Sequence, residues 1–303
     1  MQKPVCSIIR NSKRGDHNAL RQDVASRIER LLPASFATEI AITGSTSRGT
    51  ARRKSDLEIN TWSNSSPAAV HKRLRWMISE TRVLRSHGAK SLVFDTTAIA
   101  DGSQWMTFQF EGISVELSCQ SLNRQQALIN RIRKAQITDH NILVVAEAIH
   151  NAIPIRSNGS LFEWKRQLSQ YPSTLQSLLI LDAAESWTFP LHISACWQLN
   201  GENRLTFITY LMADIHAALR VLFAVNKCWE PNWKRLAERV RTLQISPARV
   251  SQRIKYALLK PMSHQARATV YCFVLDVLSL VPDHIDVKTA KETIRQGIMK
   301  HHY

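Results

Sequence analysis

Ile42-Thr-Gly-Ser-Thr-Ser-Arg-Gly-Thr-Ala-Arg-Arg-Lys-Ser-Asp-Leu-Glu-Ile59 is the stretch whose reading decides what this chain is. It opens at the end of a short β-type run, Glu39 to Thr43, which Gly44 stops. A loop of small and basic residues follows. Leu57 to Trp62 then alternates as a half-buried strand does. Side chains two apart on a strand share a face, so Asp56 and Glu58 point the same way. Carboxylates so placed repel unless a cation lies between them. Hard oxygen donors of this kind suit Mg²⁺, with Mn²⁺ as a substitute. Glu116, in the run Ile113 to Leu117, is the candidate third ligand from a neighbouring strand, completing a site for two ions. Gly44 lets backbone approach a phosphate, and the Ser45 hydroxyl and nearby amides offer it donors. Arg48, and less directly Arg52, Arg53 and Lys54, add positive charge.

Outward from that stretch, His17 to Leu32 reads as an amphipathic helix with Leu20, Val24, Ile28 and Leu31 on one stripe, ended by Pro33. Pro67 opens a basic amphipathic helix to about Ser79, and Thr81 to Arg85 and Leu92 to Ala98 are weaker strand candidates. Trp105 to Phe110 and Ile113 to Leu117, split by Glu111-Gly112, predict a β-hairpin. From about Asn123 the apolar period becomes helical and strand signals nearly vanish. The polar, turn-rich stretch Pro154 to Gly159 is expected to be the hinge. The expected architecture is α+β: an α/β domain with a mixed sheet over residues 1–153, then an α-helical domain over 160–303. In the second, Leu211, Ile215, Leu219, Leu222 and Phe223 form a core stripe, and the tryptophans are read as packing groups.

Composition narrows the partners. The 303 residues carry a net charge of +16, with Lys and Arg recurring from Arg10 to Lys300. A surplus this large favours polyanions such as RNA or nucleoside triphosphates. It is densest from Lys234 to Lys260, where Glu238 is the single acid. Five scattered cysteines without a C-x-x-C pair argue against a disulfide framework or structural zinc, and read as buried hydrophobes in a reducing cytoplasm. No signal peptide is read near the N-terminus, and no apolar run approaches the length of a membrane span, so a cytoplasmic setting without membrane contact is expected.

Gly44-Ser45, ten intervening residues and Asp56-Leu-Glu58, with Arg48-Gly-Thr50 and Ser55-Asp56 between, resemble the signature of the DNA polymerase β-like nucleotidyltransferase superfamily. The resemblance spans about the first 120 residues when Glu116 is included. It implies transfer of a nucleoside monophosphate from a triphosphate such as ATP to an acceptor hydroxyl, with Asp56, Glu58 and Glu116 as catalytic metal ligands and Gly44, Ser45 and Arg48 at the nucleotide. Two of the three carboxylates are Glu where Asp is common.

A second resemblance runs through Tyr171-Pro172, Asp214, Leu222 to Lys227 and Trp229 to Lys234. These segments are similar to bacterial nucleotidyltransferases related to the antibiotic adenylyltransferases, in which a helical domain closes over the nucleotide. It implies triphosphate contacts from Asn226, Lys227 or Lys234, and Asp214 facing a cleft. The basic charge points to an RNA acceptor such as a tRNA end, including in a toxin. The second resemblance points to an aminoglycoside-type acceptor. A non-catalytic RNA-binding relic of the fold is the third reading.

Overall fold

The computed structural model describes residues 16–66, 68–69, 72, 92–93, 104–189, 204–259 and 263–301. The candidate strand Thr81 to Arg85, nearly all of the helix from Pro67 and the end of the strand after Val93 lie outside them, as do Cys6 and Cys196. The chain forms two compact units, residues 1–127 with 148–166 and residues 128–147 with 167–303.

The first unit begins with α1 (His17–Leu31), whose N-cap Asp16 accepts hydrogen bonds from the Asn18 and Ala19 amides. Its buried face is Arg21, Val24, Ala25 and Ile28. Leu20, expected on that stripe, is half exposed, and Arg21 takes the inward position. Strands β1 (Glu39–Ile42), β2 (Leu57–Ser63), β3 (Leu92–Val93), β4 (Gln104–Phe110), β5 (Ile113–Ser121) and β6 (Ile153–Arg156) form a mixed sheet in the order β3-β4-β5-β2-β1-β6. Among the described residues, only β2 and β5 pair in parallel. The expected hairpin is β4–β5. Glu111 and Gly112 at its turn both have positive φ, 51° and 77°, as a tight two-residue hairpin turn demands.

Alternation divides the sheet by chemistry. Leu57 and Ile59 of β2, Met106, Phe108 and Phe110 of β4, and Val115 and Leu117 of β5 pack with Val24, Ile28 and Phe36 in one apolar core. Each such side chain, fully buried, contributes roughly 1.5–3 kcal/mol. The alternate positions Glu58, Asn60, Thr107, Glu116 and Ser118 therefore fall on the opposite face.

The expected hinge is not one. Ile153–Arg156 is a strand of the sheet, paired antiparallel with β1, and it belongs with its successor residues to the first unit. Two charges fix it. Arg156 donates to the Glu29, Pro33 and Leu32 carbonyls and to the Glu29 carboxylate, at the C-terminal end of α1. Glu39, fully buried, accepts the Asn158, Ser160 and Leu161 amides at the start of the helix Ser160–Leu168. Local turn propensity at Pro154 and Gly159 yields to these long-range contacts.

In the second unit, α6 (Ser173–Glu185), α7 (Arg204–Val225), α10 (His264–Ser279) and α11 (Lys288–His301) are the long helices, numbered after α2 (Gly44–Ser47), α3 (Leu122–Arg133), α4 (His140–His150) and α5 (Ser160–Leu168), with α8 (Leu236–Val240) and α9 (Val250–Leu259) between. The stripe Leu211, Ile215, Leu219, Leu222 and Phe223 of α7 is buried. Leu205–Val225 is long and apolar enough by composition to cross a membrane, which corrects the expectation that no run is, and 56% of that window is buried.

Candidate functional site

The segment from Thr43 to Asp56 is held from both sides. Gly44 takes φ +65°, and a Cβ there would overlap the carboxyl carbon and both oxygens of Glu58. The carboxylate thus lies directly over the Gly44 Cα, in space that a Cβ would take. Thr43 N donates to the Glu58 carbonyl at 2.9 Å, tying the strand end to the same residue. Gly44–Ser47 then makes a single helical turn, α2.

Beyond it, α1 clamps the loop through backbone alone. The Asn18 side chain donates to the Gly49 carbonyl (3.1 Å) and accepts the Ala51 amide (3.0 Å). Arg21, 2% exposed, donates to the Ser55 carbonyl through two nitrogens (3.0 and 2.6 Å) and to the Arg53 carbonyl (3.2 Å). Its own burial lowers the guanidinium pKa, and the Asp56 charge opposes that. With the backbone held, Arg52, Arg53 and Lys54 stand exposed.

Register completes the arrangement. In the parallel β2–β5 pair, Glu58 stands opposite Glu116, and Asn60 opposite Ser118. Neighbouring strands lie about 4.8 Å apart, which sets the scale of the Glu58 and Glu116 pair, while Asp56, expected on the strand, stands just ahead of it because β2 begins at Leu57. Glu58 and Glu116 are half-buried and Asp56 is exposed. Below the acids runs a polar row in which Ser118 Oγ donates to Asn60 Oδ1 (2.6 Å) and Asn60 Nδ2 donates to Thr43 Oγ1 (3.2 Å). As the side chains stand, no three His, Cys, Asp or Glu groups among the described residues gather closely enough to hold a metal ion. The donor chemistry and the Gly44 cradle nevertheless fit a hard divalent cation taking Glu58 with Glu116 and Asp56.

The structure makes the turn less open than the sequence suggests. Ser45, expected at a phosphate, is 2% exposed and its carbonyl receives the Thr50 amide at 2.9 Å. Its neighbour Thr46 is 1% exposed, with Oγ1 lacking a hydrogen-bond partner among the described residues. Arg48 is half-buried. No family model matches the chain, and no curated protein matches it. Among solved structures it is similar to a nucleotidyltransferase-like protein from Exiguobacterium sibiricum, at 11% identity and a TM-score of 0.40, over 93% of this chain and 80% of that one.

The residues expected from the helical half lie in the second unit. Lys227 is exposed, at φ +51°, where the chain leaves α7. Lys234 is exposed in the turn Trp233–Arg235. Asn226 has structural partners: its side chain donates to the Leu222 and Ile245 carbonyls and accepts the Ile245 amide, closing the loop after α7. Asp214 is 2% exposed and accepts from Trp187 Nε1 (2.8 Å) and the Tyr271 hydroxyl (3.2 Å), anchoring helices in the core. Trp62, Trp164, Trp187 and Trp229 are packing groups, whereas Trp233 is 46% exposed.

Sequence reading misses Asn18 and Arg21. The signal available was Arg21 itself, a charge on the inward stripe with Val24 and Ile28. The cysteines also divide: Cys119 is buried, Cys228 is half-buried and Cys272 is exposed.

Proposed function

We propose that this protein is a Mg²⁺-dependent nucleotidyltransferase of the DNA polymerase β-like kind, moving a nucleoside monophosphate from a triphosphate such as ATP to a hydroxyl of RNA in the cytoplasm. One observation carries the proposal: the parallel register that sets Glu58 beside Glu116, with Asp56 two residues before Glu58, just ahead of β2, and Glu58 seated over Gly44.

The acceptor oxygen attacks the α-phosphorus in line, the bond to the bridging oxygen breaks, and pyrophosphate leaves. Asp56, Glu58 and Glu116 would hold two divalent ions, which when bound supply charge neutralisation for the triphosphate and acidify the acceptor hydroxyl. With a single ion bound, Glu116 would instead accept the hydroxyl proton. The pinned turn from Gly44 to Thr50 fixes the backbone beside the phosphates, and Arg48 with the exposed Arg52, Arg53 and Lys54 gives that surface its positive charge. The same charges favour a polyanionic acceptor over a polycationic one. In the second unit, exposed Arg241, Arg249 and Lys255 supply further positive charge suited to RNA, while Arg235 and Arg253 are paired with Glu238 and Asp276.

The test is incubation with α-labelled nucleoside triphosphates, Mg²⁺ and total RNA. Label should enter RNA and be lost in Asp56→Ala. Labelling of an aminoglycoside panel with none in RNA would replace the acceptor. Absence of transfer to either, with RNA binding intact in Asp56→Ala, would favour the non-catalytic relic.

A further inference from the structure

The helical unit contains a cavity of about 340 Å³ that the nucleotidyl-transfer reading does not use. Its room comes from small side chains. Ala183 on α6 and Ala213 and Ala217 on α7 line it where larger residues would close it. One wall is aromatic. Trp233 stacks on His140 at 3.8 Å between ring centroids and on His216 at 4.2 Å, the planes within 24°. The indole is nevertheless 46% exposed, a large apolar surface left open to solvent at a cavity.

The charge of the cavity runs against that of the chain. In a protein of net charge +16, its lining holds three carboxylates, Asp182, Asp214 and Glu230, against the single guanidinium of Arg220. Arg220 Nε pairs with Glu230 at 3.0 Å and Nη1 with Asp182 at 3.2 Å, while His140 Nδ1 meets Glu230 at 2.8 Å. Glu230, 6% exposed, is thus already held from two sides. The Asp182 side chain is 46% exposed and keeps acceptor capacity toward the cavity. Burial, and then His140, lower the His216 pKa, so this histidine does not offset the acids at neutral pH.

We propose that this cavity binds a small molecule combining a flat aromatic ring with a protonated amine, the ring against Trp233 and the amine on Asp182. An anionic ligand would meet a surplus of carboxylates. A purely apolar one would strip water from Asp182 without compensation. An aromatic cation satisfies both walls at once, and its positive charge gains further from the indole face. The site lies wholly within the second unit and stands independently of nucleotidyl transfer.

Matched probes test it on the full chain by saturation-transfer NMR: tryptamine, and indole-3-propionate, which has the same ring with the opposite charge. Tryptamine should bind and indole-3-propionate should not. Asp182→Asn should weaken tryptamine at least about tenfold by removing the full charge that faces the amine. Ala217→Leu should abolish binding by filling the cavity. Ala213→Leu, at an exposed position, supplies a second filling variant if Ala217→Leu fails to fold. Binding of neither probe, equal binding of both, or tryptamine binding unchanged by Asp182→Asn and by the filling variants would overturn the proposal.

Discussion

Gly44→Ala separates two demands placed on one residue. At φ +65° an L side chain enters the left-handed region, at a cost of about 1–2 kcal/mol. The added Cβ would also overlap the Glu58 carboxyl group, the far end of a flexible, half-buried side chain that can swing aside at little cost to stability but not without leaving its place. Gly49 is the internal control. Its φ is +71°, yet a Cβ there would meet nothing within 4 Å. Gly49→Ala therefore carries only the conformational part, about 1–2 kcal/mol. Urea unfolding followed by far-UV circular dichroism, for both variants alone and in a Glu58→Ala background, resolves the two parts. Both alanines should therefore lose about 1–2 kcal/mol, and any excess in Gly44→Ala should be small and should vanish without the Glu58 carboxylate. If Glu58 is a metal ligand, its displacement by roughly 1 Å should also slow nucleotidyl transfer on the order of 10²-fold. An excess loss in Gly44→Ala that survives in Glu58→Ala, or nucleotidyl transfer slowed no more by Gly44→Ala than by Gly49→Ala, would refute the reasoning.

Three further outcomes follow from the same contacts. Arg21→Gln should cost about 2–3 kcal/mol, because charged donors to the Ser55 and Arg53 carbonyls are lost from a buried position, and hydrogen exchange should quicken across residues 50–55. His216 is held below its ordinary pKa of 6.5 by burial and then by His140. As pH falls through about 6.5 the unfolded chain takes up a proton that the folded chain refuses, so stability should decline there, and His216→Gln should flatten that decline in melts from pH 7.5 to 5.5. Burial pushes the Cys119 thiol up to about 12, so mass-spectrometric mapping after brief iodoacetamide treatment should find exposed Cys272 modified well ahead of Cys119.

What the sequence discloses is governed by range. The strand, turn and strand around Gly44 are local, and the alternation of Leu57 and Ile59 with Glu58 and Asn60 is visible in four residues. The hairpin at Glu111-Gly112 is equally local. That Glu116 belongs to a strand is readable for the same reason, whereas its position opposite Glu58 depends on parallel pairing between distant segments. Pro154 to Gly159 misleads because Arg156 and Glu39 draw their partners from more than a hundred residues away. Asn226 misleads because a polar side chain in a helical pattern looks the same whether it meets a ligand or a loop amide. Arg21 points inward because three backbone carbonyls receive it, and no pattern of side-chain hydropathy records a carbonyl. The exposed indole of Trp233, unlike Trp164 and Trp187, follows from a short turn after Pro231 rather than from a core stripe.

Glu116→Gln tests the central claim most directly, because it keeps shape and strand propensity and removes one charge from the paired acids. Transfer of label from α-labelled triphosphate should fall on the order of 10³-fold or more, equivalent to about 4 kcal/mol, with the far-UV spectrum unchanged. Transfer at the wild-type rate in Glu116→Gln would contradict the assignment of the Asp56, Glu58 and Glu116 group as the reaction centre.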